Sequence, residues 1–152
     1  MLHYKDCGLD YVYLVNGFIK EKSAYGTIVA VKDARELHRV IARGIVTGAA
    51  SIRGQEVRFL RSLLQVSQVD LAKCLGTSRT SVARWEGRPN AAIQGPADRA
   101  LRMFYTMWAE GDRNAKKLVE LLRDLDDQKH SKTRRINVSW KSSESSWVAQ
   151  AA

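Results

Sequence analysis

The chain has 152 residues, 45% of them hydrophobic, and carries 25 Lys and Arg against 16 Asp and Glu, a net charge of +9. That length suits one ordinary domain or two small ones, and the charge suits a polyanionic partner. No apolar run approaches the roughly 20 residues of a membrane span, Met1 to Asp10 is too polar for a secretory signal, and two cysteines, Cys7 and Cys74, make no disulfide framework.

Taken in order, Asp10 to Phe18 is rich in Val, Tyr and Leu and ends at Asn16-Gly17, which is strand composition followed by a turn signal. Lys20 to Tyr25 is polar and is expected to be a loop or hairpin end. Gly26 to Val31, GTIVAV, is a second strand. Asp33 caps a predicted helix from Ala34 to about Val46, with Leu37, Val40, Ile41 and Ile45 on its apolar face. Residues 10 to 46 therefore read as a ββα module, and Thr47 to Ser51 as a small, polar linker.

Ile52 to Leu64 has helical spacing, with Val57, Leu60 and Leu64 on one face. Arg61 falls on that same face, where a cation needs a partner. Gln68 to Leu75 is a second helix with Ser67 as its N-cap. Gly76 ends it, because glycine enters a left-handed turn cheaply. Ser78 caps the next helix, which runs to Trp85. Leu71, Ala72, Leu75, Val82 and Trp85 supply the buried faces, and the small Ala72 lets the two helices approach where they cross. This is the pattern of a helix-turn-helix, the unit that lays one helix in the DNA major groove. Residues 52 to 88 hold seven Lys and Arg against three Asp and Glu, whereas residues 1 to 51 hold seven against five, so the basic surplus favours the motif.

Gly87 to Gly95 reads as a loop, and Pro96 suits the first turn of a following helix. Leu101, Phe104, Tyr105 and Trp108 give that helix an apolar stripe. Arg113 to Leu125 is a further amphipathic helix, with Leu118, Leu121, Leu122 and Leu125. Both stripes fit either domain core or a dimer surface. Asp126 to Arg135 is a charged connector. Ile136 to Trp140 has a short strand pattern, and Ser146 to Ala149 holds Trp147 and Val148. The two tryptophans point to docking on the front module or to a partner protein.

The run VRFLRSLLQVSQVDLAKCLGTSRTSVARWEGR resembles the Xre/lambda-Cro-like repressors, over Ile52 to about Trp108. The resemblance implies a mainly α fold: a five-helix Cro-like helix-turn-helix domain, residues 51–125, preceded by the ββα module, 1–50, and followed by a tail, 126–152. It also implies that Arg61 of the first helix pairs with Glu86 at the close of the recognition helix, and that such domains dimerise through their last helices. The front module, HYKDCGLDYVYLVNGF, is similar to antitoxin-like regulators of toxin–antitoxin modules. One branch of those binds zinc through two Cys-x-x-Cys pairs. Here Cys7 has no second cysteine near it. Even with His3 and His38 the set falls short of the four ligands of a closed site, so no metal is expected.

The expected function is sequence-specific DNA binding, as a dimeric repressor of its own operon acting on an inverted-repeat operator. Arg79, Thr80, Ser81 and Arg84 are the recognition-helix residues free to face base edges, arginine being the commonest partner of guanine. Gln68 stands where similar repressors contact the backbone and an outer base. Thr77 and Ser78 offer hydroxyls to phosphates, and Arg88 beside the motif could touch another. The alternative is an antitoxin that holds a toxin through the front module or tail, with DNA binding as autoregulation. No enzyme is expected: His3 and His130 lie in terminal or connector stretches, His38 lies on the polar side of its helix, and no phosphate-binding or dinucleotide motif occurs, so no cofactor is expected either. The resemblance places the protein in a bacterial or phage-infected cytoplasm, on the nucleoid.

Overall fold

The computed structural model describes residues 1–110 and 134–150. Its elements are β1 (Leu2–His3), β2 (Val12–Leu14), β3 (Phe18–Ser23), β4 (Gly26–Val31), α1 (Ala34–Thr47), α2 (Gly54–Leu64), α3 (Gln68–Leu75), α4 (Arg79–Glu86), α5 (Gly95–Glu110), β5 (Ile136–Lys141) and β6 (Ser146–Ala149). Five helices and two small sheets among the described residues make the class mixed α and β, with more strand than a ββα module alone would bring. The chain divides into two compact units, residues 1–44 with 135–152 and residues 45–134. The predicted helix Arg113–Leu125 and most of the connector lie outside the described residues.

In the first unit, Gly17 decides the strand pattern. It sits at φ +79°, in the left-handed region that favours glycine. It also has no room for a side chain: a Cβ would come within 2.5 Å of the Trp147 ring and 2.8 Å of Trp140 Cβ. The expected strand from Asp10 to Phe18 therefore breaks into β2 and the start of β3. Nor does β2 pair with β4. It pairs antiparallel with β1 and parallel with β5, and β5 pairs antiparallel with β6, giving the order β1-β2-β5-β6. Val12, Leu14, Val138 and Trp147 of this sheet are buried, as are Leu37 and Ile41 of α1. Gly44 of α1 faces Ile136, and Trp147 donates its main-chain N–H to Glu36 Oε2 at 2.8 Å. Asp33 caps α1, its Oδ1 accepting from Glu36 N at 3.2 Å.

The polar stretch expected as a loop, Lys20 to Tyr25, is mostly strand. β3 and β4 form a separate two-stranded ribbon that reverses at Ala24-Tyr25, with Phe18 opposite Val31 and Ser23 opposite Gly26. Ser23 Oγ holds the turn by accepting from Tyr25 N at 3.2 Å and donating to Gly26 O at 2.9 Å. Gly26, at φ +123°, supplies the backbone freedom.

In the second unit α2 packs on α4 and α5, and α3 on α4 and α5. Ile52, Val57, Leu60, Leu71, Val82 and Leu101 are fully buried at its centre. The expected linker is an ordered strap. Arg102 of α5 donates to the carbonyls of Val46, Gly48 and Ala50, and Asp98 accepts from Ile52 N at 2.7 Å. Arg134 also donates to Ala50 O, at 2.6 Å. Main-chain groups that a linker would leave to water are thereby satisfied by side chains. Of the predicted stripe on α5, Leu101 and Tyr105 are buried and Phe104 is half-buried, but Trp108 is 52% exposed. It shares an open face with Met103 and Met107.

Candidate nucleic-acid interface

Three local devices set the start of α3 and the turn from α3 into α4. Ser67 Oγ accepts from Asp70 N at 3.0 Å, which satisfies one of the donors that every helix start leaves open. Gly76, at φ +69°, closes α3: its own N–H reaches Lys73 O, and Thr77 N reaches Ala72 O at 2.9 Å, the paired bonds of a left-handed helix end. Ser78 Oγ then accepts from Ser81 N at 3.2 Å and starts α4.

Val82 is the fully buried side chain of α4, with Trp85 and Glu86 half-buried beside it. Arg79, Thr80 and Arg84 are exposed. Among the described residues neither the Arg79 nor the Arg84 side chain has a hydrogen-bond or ion-pair partner, and the same holds for the side chain of exposed Arg88. Three guanidiniums thus stand uncompensated within ten residues, in a stretch whose one carboxylate, Glu86, is turned inward.

Two of the expected contact residues are differently placed. Ser81 is half-buried, and its hydroxyl lies 3.1 Å from Ser78 Oγ, so it belongs to the cap as much as to the exposed face. Gln68 is half-buried as well. Its Nε2 donates to Glu86 Oε2 at 2.8 Å, which leaves its Oε1 as the group able to reach outward. Thr77 is half-buried and Ser78 exposed, both at the N-terminal end of α4, where main-chain N–H groups and the helix dipole favour an anion.

Arg61 and Glu86 hold α2 to the end of α4. Arg61 Nη2 donates to Glu86 Oε1 at 2.8 Å, and its Nε lies 3.1 Å and 3.2 Å from the two carboxylate oxygens. Nη1 takes the Val66 carbonyl at 3.2 Å. Glu86 therefore receives both Arg61 and Gln68, and the start of α3 and the end of α4 share one carboxylate.

The loop after α4 is fixed by a signal that sequence reading missed. Gly54 N donates to Ala91 O and Gln55 N to Pro89 O, so the open donors at the start of α2 are met by loop carbonyls. Ile93 N returns a bond to Ile52 O at 3.0 Å, and Gln55 Nε2 reaches Asn90 Oδ1 at 3.1 Å. This clasp requires glycine at 54, since a Cβ there would overlap the Trp85 carbonyl oxygen and meet Arg88 O at 2.5 Å. Arg88 and Arg84 line, with Trp85, Ala91, Ala92, Ile93 and Gln94, an open cavity of about 180 Å³.

Among the described residues His3, Cys7 and His38 form no group of three or more His, Cys, Asp or Glu that could hold a metal ion. His3 Nε2 lies 2.8 Å from Asp10 O, Cys7 Sγ donates to Tyr4 O at 3.6 Å, and His38 Nε2 lies 3.0 Å from the Tyr4 hydroxyl. Burial raises the Cys7 thiol and, with nearby Cys7 and Asp6, pushes Tyr4 up to about 12. Burial also lowers His38. Among the described residues no helix is long and apolar enough to cross a membrane.

No protein-family model matches the chain, and comparison with curated proteins and with solved structures finds no match either.

Proposed function

We propose that the chain is a sequence-specific DNA-binding regulator that works through a Cro-like helix-turn-helix, as a dimeric repressor of its own operon. The observation that carries this reading is the outer face of α4. A short helix is anchored by Val82 and by the Arg61–Glu86 pair, and it presents Arg79, Thr80 and Arg84 with no protein partner among the described residues. Charges held on a rigid element without compensation suit a polyanion, and arginine on such a helix suits guanine. Ser78 and Thr77 at the helix start and Arg88 beyond its end fit phosphates on either side of a groove.

The test is nuclease footprinting on DNA upstream of the protein's own gene. The expected result is protection of an inverted repeat whose half-sites lie about 34–36 Å apart, one helical turn. Affinity equal for that DNA and for random sequence, with no footprint, would overturn the reading.

A further inference from the structure

Among the described residues the β3–β4 ribbon leaves both its long edges unpaired, since it forms a two-stranded sheet of its own. Lys32 N donates to Gly17 O at 2.9 Å, which fixes the phase of the ladder. Bonded pairs alternate along an antiparallel ladder. Ile19 and Ala30, Glu21 and Ile28, and Ser23 and Gly26 therefore exchange bonds, and Thr27, Val29 and Val31 direct their N–H and C=O groups outward from β4. None of these three has a bond to a described residue outside the ribbon.

The two edges differ in kind. The outward main-chain groups of β3 belong to Phe18, Lys20 and Lys22, and lysine on an edge strand is a common guard against pairing. β4 reads GTIVAV, without charge or proline, and is rich in β-branched residues. On one face of the ribbon Ile19, at 56%, and Ile28, at 55%, are exposed together with Ala30.

We propose that β4 pairs with β4 of a second copy of this chain, antiparallel, about a two-fold axis at Val29. In that register Thr27 faces the partner's Val31 and Val29 faces the partner's Val29, so the outward groups of one strand meet the outward groups of the other. Ile28 faces the partner's Ala30, apolar against apolar on the exposed face. No like charges oppose each other, whereas a β3–β3 pairing would set Lys20 near its own copy. Two-stranded hairpins are marginal in water, and three or more strands with an apolar face are far more stable. Self-pairing makes four strands and joins the exposed Ile19, Ile28 and Ala30 of both copies into one strip. A two-fold contact of this kind is self-complementary, so it closes at two chains. The inference rests on no part of the DNA-binding reading.

Disulfide trapping in the absence of DNA tests it, in a Cys7→Ser, Cys74→Ser background. One chain carries Ile28→Cys, and the other, made longer by a tag, carries Ala30→Cys. Residues directly opposite at a non-bonded pair have Cα atoms about 4.5 Å apart, within disulfide reach. The same residue on the two copies is a diagonal pair at about 7–8 Å, beyond that reach. The expected result is a mixed-size cross-linked dimer from the mixture and none from either chain alone. Adding Val29→Lys to both chains should abolish it by placing two ammonium groups on the axis. A mixture that does not cross-link, cross-linking equally strong in the single-variant samples, or a cross-link that survives Val29→Lys would each overturn the proposal.

Discussion

Arg102 donates its Nε to Asp98 Oδ1 at 2.5 Å, one turn earlier on α5, and both side chains are buried. The same guanidinium takes three carbonyls of the 46–50 strap, and the same carboxylate takes Ile52 N. Removing one partner of a buried pair leaves the other uncompensated, which typically costs about 3–5 kcal/mol. Arg102→Ala is expected to lose that much in a urea melt. Arg102→Met restores volume but not donors: the Val46 and Gly48 carbonyls lose the guanidinium and Asp98 loses its cation, while Ala50 O keeps Arg134, so it should recover little. A wild-type midpoint for Arg102→Met would show that packing alone matters there.

Glu86→Ala is expected to destabilise the second unit by about 2–4 kcal/mol, somewhat less than a fully buried pair, because Arg61 is 22% exposed while Glu86 is 6% exposed. Gln68 shares the carboxylate, so the losses should not add. A double-mutant cycle of Glu86→Ala with Gln68→Ala is expected to give a coupling of about 0.5 kcal/mol or more. Strict additivity would mean that the bond from Gln68 Nε2 to Glu86 contributes nothing.

Gly54 and Gly76 should respond to alanine for different reasons. At Gly76 nothing lies within 4 Å of a Cβ, and the cost is conformational, about 1–2 kcal/mol for a side chain at positive φ. At Gly54 the obstacles are the carbonyl oxygens of Trp85 and Arg88, which belong to the backbone and cannot swing aside. Gly54→Ala should therefore cost more than Gly76→Ala, and it should free the 88–93 loop to proteolysis. Equal midpoints for the two variants would contradict the close approach.

These elements were not equally legible in the sequence. The α3–turn–α4 boundaries could be read because their signals, Ser67, Gly76 and Ser78, act within a few residues. Arg61 stood out because it shares a face with Val57 and Leu64. Arg102 did not, since an arginine between apolar positions of an amphipathic helix reads as solvent-facing, and its acceptors lie more than fifty residues earlier. Its one local signal was Asp98, four residues before it. β3 was hidden because the strand is exposed from Ile19 to Ser23, so Lys20, Glu21 and Lys22 show no apolar alternation. The parallel pairing of β2 with β5 joins residues more than a hundred positions apart, and no local pattern encodes it.

His38 gives the first unit a pH dependence with a definite sign. Burial lowers its pKa in the folded chain from the ordinary 6.5. The unfolded state therefore binds the proton first as pH falls, and stability is lost below about pH 6.5 while being fully present above it. The Tyr4 hydroxyl, protonated at any ordinary pH, lies 3.0 Å from Nε2 and helps to bury the ring. Thermal melts from pH 8 to 5.5 should show the melting temperature falling for the wild type and nearly flat for His38→Gln. Parallel curves would assign the loss to other groups.

Arg79 and Arg84 should act on DNA and not on the fold. Both are exposed and unpartnered among the described residues, on a helix whose core contact is Val82. Truncating either should leave the melting curve within the small range usual for surface changes, about 0.5 kcal/mol. Arg79 opens α4, the end that enters a major groove first, and is expected to read a base: Arg79→Ala should cost roughly 1–3 kcal/mol on the operator and relax preference at one base pair. Arg84 lies a turn further on, beside Arg88, and is expected to meet a phosphate. Arg84→Ala should weaken operator and random DNA alike and flatten the salt dependence by about one unit of slope. Gel-shift titrations of both variants at several salt concentrations separate the two roles, because only a base contact changes the ratio of operator to random affinity. If both variants fold normally and keep wild-type affinity and preference, α4 is a packing element and the DNA-binding surface lies elsewhere.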